Sequence, residues 1–229
     1  MFNQWDWQKA EASFRRSIEL NPNYAAAHHW HAQVLTVQGR HREAETAMLR
    51  ALEINPLSHN FLADLGQIYY FNREYDKAEE YCRRALEIYP DFIFAHEYLH
   101  DVYLKTGEYE KAVEAEIKAY EINLIFANQA EERKKIIRDD FDQKRKNFRE
   151  GGIKKFVENS ITDLREPVFN YLNATKYACL GEKEKALELL EKAVADRAFL
   201  VAFVKADPVF DDLRNEPRFR EMLRKMNLP

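Results

Sequence analysis

A chain of 229 residues with 46% apolar and 32% charged side chains can build a buried core and is not composed like a disordered tail. Its 6 Gly and 7 Pro are too few for the many tight turns of an all-β sandwich and favour long helices. Thirty-five Lys and Arg against 39 Asp and Glu leave a net charge of −4, which argues against a general binder of nucleic acid or anionic membrane.

From the N-terminus onward one period organises the chain. Ala10, Ala44, Ala78 and Ala112 are each 34 residues apart. Pro22, Pro56 and Pro90 keep the same step, as do Ser17, Ala51, Ala85 and Ala119. Trp7, His41, Tyr75 and Tyr109 form a further column, and Arg73 stands between Gly39 and Gly107 in another. Residues 1–24 read as the second helix of an incomplete unit, and 25–58, 59–92 and 93–126 as three full helix–turn–helix units. In each, a small Ala marks the helix crossing, a large residue (Leu35, Tyr69, Tyr103) fills the space beside it, and Pro closes the unit. The third unit departs from this, with Leu124 in place of Pro and Glu116 in place of a large apolar residue, which predicts a longer or differently turned second helix.

Residues 127–149 form one more helix, with Ile136, Ile137, Phe141, Lys144 and Phe148 on a thin stripe. Gly151-Gly152 ends it, a short helix follows over 153–160, and Pro167 opens the next. Residues 167–196 read as a last pair with Ala186 and Ala193 at the crossing. Asp207-Pro208 and Glu216-Pro217 start two short helices, and Phe203, Val209, Phe210, Leu213, Phe219, Met222 and Leu223 can cover the open end of the stack. The division along the chain is thus 1–126, 127–166 and 167–229. The longest apolar run, Ala198 to Val204, is far short of the roughly 20 residues that span a membrane. The start, MFNQWDWQKAEASF, has no basic segment followed by an apolar run, so a cytoplasmic protein is expected.

These columns resemble the tetratricopeptide repeat, with NREYDKAEEYCRRALEIYP (Asn72 to Pro90) and LGQIYY (Leu65 to Tyr70) closest to its pattern. The resemblance implies an all-α, right-handed solenoid with a helical cap at the C-terminus. Both ends of the chain, WDWQKAEASFRRSIELNPNYAAAHHWHA and LVAFVKADPVFDDLRNEPRFREMLRKMNLP, resemble repeat regions of bacterial regulatory proteins. Those include winged-helix transcriptional regulators of the ToxR/CadC type, TolB-like signalling proteins, and repeat-bearing kinases and cyclases. The function this implies is non-catalytic protein or peptide binding in signalling, with no cofactor. The second reading is an intramolecular regulatory region docking on a DNA-binding, kinase or cyclase domain, since Trp5 and Trp7 lack a preceding partner helix. That same uncovered N-terminal edge could pair two copies of the chain.

The resemblance also places positions 2, 5, 9 and 12 of each repeat on a concave, ligand-facing surface. They are Ala26, His29, Gln33 and Thr36; Asn60, Ala63, Gln67 and Tyr70; and Phe94, Glu97, Asp101 and Leu104. Gln33, Asn60 and Gln67 would hold a peptide backbone and Tyr70 and Phe94 an apolar side chain. The Lys, Arg and Asn clamp that grips chaperone carboxylates is absent from the matching positions, where Gln33, Gln67 and Asp101 stand. Glu97 and Asp101 favour a neutral or basic ligand.

Other motifs have plainer readings. His96-Glu97-Tyr98-Leu99-His100 matches the H-E-x-x-H zinc pattern, which gives a zinc hydrolase as a third reading with His96 and His100 as ligands. Repeat register explains both: His96 aligns with His28 and Leu62, and His100 with Ala32 and Gly66, although His100 is large for its column. The His28, His29, Trp30, His31 run lacks a full ligand set and suits packing or partner contact. Residues 131–150 carry eight Lys/Arg and six Asp/Glu and read as a solvated helix laced with i,i+4 pairs. Cys82 occupies a core column and reads as a buried thiol, and Cys179 has no activating neighbour in sequence.

Overall fold

The computed structural model describes residues 5–126, 131–161 and 167–228. The described residues form helices in the expected order: α1 (Trp7–Leu20), α2 (Ala25–Val37), α3 (His41–Ile54), α4 (His59–Phe71), α5 (Tyr75–Ile88), α6 (Ile93–Thr106) and α7 (Tyr109–Phe126). Next come α8 (Glu131–Ser160), α9 (Pro167–Cys179), α10 (Lys183–Ala195), two 3-10 segments (Phe199–Phe203 and Pro208–Leu213) and α11 (Pro217–Lys225). No helix among them is long and apolar enough to cross a membrane.

The repeated sequence columns make repeated local structure. Ala44, Ala78, Ala112 and Ala186 are 0% exposed, because a methyl group is all that fits where paired helices cross. Each first helix ends in one motif. The N–H of Arg40, Glu74, Glu108 and Glu182 donates to the carbonyl of Leu35, Tyr69, Tyr103 and Tyr177, each at 2.9 Å. That six-to-one bond needs a left-handed residue one position before the donor. Gly39, Gly107 and Gly181 supply it at φ 75–79°. Arg73 adopts φ 64° with a side chain attached, a conformation that costs about 1–2 kcal/mol. Its guanidinium is held meanwhile, donating to the Phe71 carbonyl at 2.7 Å and to both carboxylate oxygens of Asp211 at 3.2 and 2.5 Å.

Where the columns break, the structure changes as expected. α3 and α5 have 14 residues, but α7, with Leu124 where Pro would stand, runs for 18. In α8 the helical backbone is interrupted at Gly152 (φ 65°, ψ −163°). The 127–130 and 162–166 stretches and residues 1–4 lie outside the described residues.

By contact the chain divides into two compact units, which cut across the three-part division along the sequence. The first gathers residues 1–56, 71–73 and 161–229, and the second 57–70 and 74–160.

In the first unit the C-terminal segment does more than cap the last pair. Phe203, Phe210, Leu213, Phe219 and Met222 are buried and pack with their segments on α9 and α10. The same segment also covers the start of the chain. The Trp7 indole Nε1–H donates to the Met226 carbonyl at 2.7 Å, Asn227 donates to the Trp5 carbonyl at 3.3 Å, and the Arg197 guanidinium lies 5.4 Å from the Trp5 ring centre. Lys205 Nζ donates to the Gln38 carbonyl at 3.0 Å, and Phe203 stacks on Phe71 at 5.6 Å. Trp5 and Trp7 are therefore 9% and 4% exposed. This corrects the expectation that they form an uncovered edge free for self-association or for a missing helix. The partner surface is the chain's own C-terminus.

His41 begins α3 at this junction. Its Nδ1 is buried without a hydrogen-bond partner among the described residues. Burial first, then the charges of Arg73, Arg214 and Lys205, holds its pKa below the usual histidine value. The folded state therefore binds fewer protons than the unfolded one. The stability this contributes is whole above about pH 6.5 and drains away as pH falls through the lowered folded value. We expect the urea midpoint to drop between pH 7.5 and pH 5, and His41→Gln to flatten part of that drop. A pH profile identical to the native one would show that His41 does not contribute.

Candidate functional site

In the first unit, three of the four positions that the repeat register assigns to a ligand face are closed, and Ala26 is half-buried. His29 and Gln33 are each 5% exposed and Thr36 is fully buried, and the 3-10 segment Phe199–Phe203 packs on α2. Thr36 Oγ1 donates to the Ala32 carbonyl at 2.8 Å, and the His29 ring lies against Trp30 at 5.0 Å. Gln33 Oε1 accepts no hydrogen bond among the described residues. These side chains offer little surface to an incoming peptide.

In the second unit the corresponding positions are more open. On α4, Asn60 and Gln67 are half-buried, Ala63 is buried, and Tyr70 is 5% exposed with its ring 6.0 Å from Tyr75. On α6, Phe94 is 52% exposed, Glu97 is exposed, and Asp101 and Leu104 are half-buried. Helical spacing puts Phe94, Glu97, Tyr98 and Asp101 on neighbouring turns of one side. Phe94 and Tyr98 stack at 6.5 Å and 28°. Phe94 also meets Phe92 edge-on at 5.6 Å, and Phe92 meets His59 at 4.7 Å. An aromatic strip thus runs from the start of α4 along α6. It is tied to α4 by the Tyr98 hydroxyl, which donates to Asp64 at 3.3 Å.

Residues that the repeat register does not select complete the electrostatics. Lys144 of α8 is 9% exposed. Its Nζ lies 3.4 Å from Glu116 Oε1 and 4.3 Å from the centre of the Tyr120 ring. His100 Nε2 stands 4.0 Å from the other Glu116 oxygen. Arg145, one residue on, grips Glu114 through two bonds of 2.8 and 2.9 Å. Burial first, with Glu116, Glu97 and Asp140 nearby, pushes the Tyr120 phenol up to about 12. Burial, with Asp64 and Glu97 nearby, also raises Tyr98. The protein around the Glu97 carboxyl raises it to about 7. Because the residue still reaches solvent, screening limits what that shift is worth in stability.

The motif histidines are engaged by the backbone. A carbonyl can only accept, so the His96 Nε2–H donates to the Pro90 carbonyl, and His28 does the same to Pro22 one double period earlier, both at 2.9 Å. His100 Nδ1–H donates to the Ala112 carbonyl at 2.9 Å. Among the described residues no group of three or more His, Cys, Asp or Glu converges in a way that could hold a metal. His28, His29 and His31 likewise diverge: to Pro22, to Trp30, and to within 3.9 Å of Glu11. Cys82 is fully buried, and burial pushes its thiol far above the ordinary value, so it is an inert core thiol.

A tetratricopeptide-repeat family model matches residues 2–59 and 31–91. No curated protein matches the chain in sequence. Among solved structures, the Cut9–Hcn1 hetero-tetramer of the APC/C has a TM-score of 0.52 at 14% identity, over 96% of this chain and 36% of that one. The structure of MamA gives 0.47 at 16% identity, over 83% and 88%. That of YrrB, titled a TPR protein with an unusual peptide-binding site, gives 0.45 at 17% identity, over 95% and 92%. Of these, the first supports the fold.

Proposed function

We propose that this chain, which matches a tetratricopeptide-repeat model over residues 2–59 and 31–91, is a non-catalytic scaffold that binds an extended peptide, or a segment of a protein partner, along α4 and α6. The observation that carries this reading is Phe94. A large aromatic side chain is 52% exposed on the helix side that the register assigns to a ligand, where an uncovered ring gains most from a partner. Asn60 and Gln67, half-buried on α4, can satisfy the N–H and C=O groups of an extended backbone. Tyr70, being buried, serves as support behind such a surface. The resemblance of both chain ends to bacterial regulators favours a role as the partner-binding region of a signalling or transcription-regulating protein. The alternative of docking on a domain of a longer chain loses its main argument now that Trp5 and Trp7 are covered.

The test is recovery of partners from lysate by the native chain and by Gln67→Ala/Phe94→Ala, with Leu20→Ala as a control. Leu20 is 69% exposed on α1, which is not one of the two helices of the proposed face. Two interface side chains worth more than 1 kcal/mol each make recovery fall about tenfold or more in the double variant. The control should match the native chain. Equal recovery by all three overturns the assignment of this face.

A further inference from the structure

The nature of the partner can be narrowed from the same face. Among the twelve ligand-facing positions of the three repeats there is no Lys or Arg, and the two charged ones, Glu97 and Asp101, are both acidic. Glu97 has neither a hydrogen bond nor an ion pair among the described residues. Yet it stands close enough to the hydroxyls of Tyr98 and Tyr120 to act on both. Exposed and without a partner among the described residues, this carboxylate is open to a cation from outside the chain. One turn earlier on the same helix, the exposed Phe94 ring stacks with Tyr98.

The neighbouring helices already contain the completed version of this arrangement. There the ammonium of Lys144 lies over the Tyr120 ring and pairs with Glu116. An aromatic face and a carboxylate together hold a cation through its attraction to the ring and to the negative charge. At Phe94, Glu97 and Tyr98 the rings and the carboxylate are present and, among the described residues, no cation joins them.

We propose that Phe94, Glu97 and Tyr98 form a seat for a lysine or arginine side chain, so that the segment this protein recognises is a basic peptide. The inference rests on the scaffold reading above, and adds the charge of its ligand. Among the described residues, the titratable groups around the seat are Tyr98 and Asp101 on α6, Asp64 on α4, Tyr120 on α7, and Asp140 and Lys144 on α8. Lys144 is committed to Glu116 and Tyr120.

The probes are capped nonapeptides of Gly, Ser and Leu whose central residue is Lys, Arg, norleucine or Glu. They are titrated to millimolar concentration into the full chain and followed by amide shifts in its NMR spectrum. The Lys and Arg peptides should shift residues 94–101 and bind about tenfold or more tightly than the norleucine peptide, a preference that shrinks with added salt. Glu97→Gln should remove that preference. Since the carboxylate is destabilised above about pH 7, the same variant should melt at a higher temperature at pH 8, with less gain at pH 5. Loss of binding together with gain of stability separates a ligand seat from a structural role. Equal binding of norleucine and Lys peptides at α4 and α6 overturns the cation seat and leaves the scaffold reading standing. A charge preference that survives Glu97→Gln also overturns the seat. If no peptide perturbs α4 or α6, both readings fall.

Discussion

Trp7→Ala should lower the stability of the first unit by about 3–5 kcal/mol, the usual cost of removing a buried tryptophan. The ring is 4% exposed, and its N–H is satisfied by the Met226 carbonyl. Truncation opens a large cavity and leaves that carbonyl without its donor, where burial makes the loss expensive. Trp7→Phe keeps most of the apolar contact, loses the N–H, and should fall between the native chain and the alanine variant. Urea unfolding followed by circular dichroism measures both. A loss below about 1 kcal/mol for Trp7→Ala would mean that the two ends of the chain are not held together by this contact.

The second large effect is at Gly66, inside α4. Helix propensity alone favours alanine there by about 1 kcal/mol. Packing argues the other way. An added Cβ would lie 2.5 Å from Cys82 Sγ, 3.0 Å from the Ala78 carbonyl oxygen and 3.3 Å from the Cys82 nitrogen. Two of these three neighbours are backbone atoms of α5, so the helices must separate. Overpacking of this kind costs about 1–3 kcal/mol, so Gly66→Ala should destabilise despite its propensity, and Gly66→Leu should do so severely. Removing the sulfur should relieve part of the clash. In a double-mutant cycle, Gly66→Ala with Cys82→Ala should therefore cost less than the sum of the single changes. Additive losses, or a stabilised Gly66→Ala, would show that α4 and α5 are not in this close contact.

Much of the fold was legible because a repeat writes the same local physics several times. The Ala column marks the helix crossings, and the Gly39, Arg73, Gly107 column marks the left-handed turns. The loss of Pro at Leu124 foretells the longer α7. The C-terminal segment was only half legible. Its Asp-Pro and Glu-Pro starts fix where Pro208–Leu213 and Pro217–Lys225 begin, although the first is a 3-10 segment. That it also covers Trp5 and Trp7 has no local signature, since the bonded residues Trp7 and Met226 are 219 positions apart.

The candidate site was legible in register but not in exposure. The repeat columns place His29 and Gln33 beside a ligand, and only the structure shows the C-terminal segment packed on their helix. The sequence also held three misfits: Glu116 in an apolar column, Lys144 on an apolar stripe, and His100 in a column of small residues. They are neighbours in the structure, where Glu116 pairs with Lys144 and lies 4.0 Å from His100 Nε2. Lys144 and Glu116 explain each other, a relation that reading one column at a time does not reveal.

The two units also differ in when they can form. The second is almost one continuous stretch, residues 57–70 and 74–160, whereas the first joins the opening 56 residues to the final 69, residues 161–229. Short-range contacts form quickly and contacts between distant residues slowly, because a long loop must close first. During synthesis, the second unit's helices can pair as they emerge. α1 to α3 must wait for α11 with Trp5 and Trp7 unshielded, and an interval of that kind favours aggregation or the help of a chaperone.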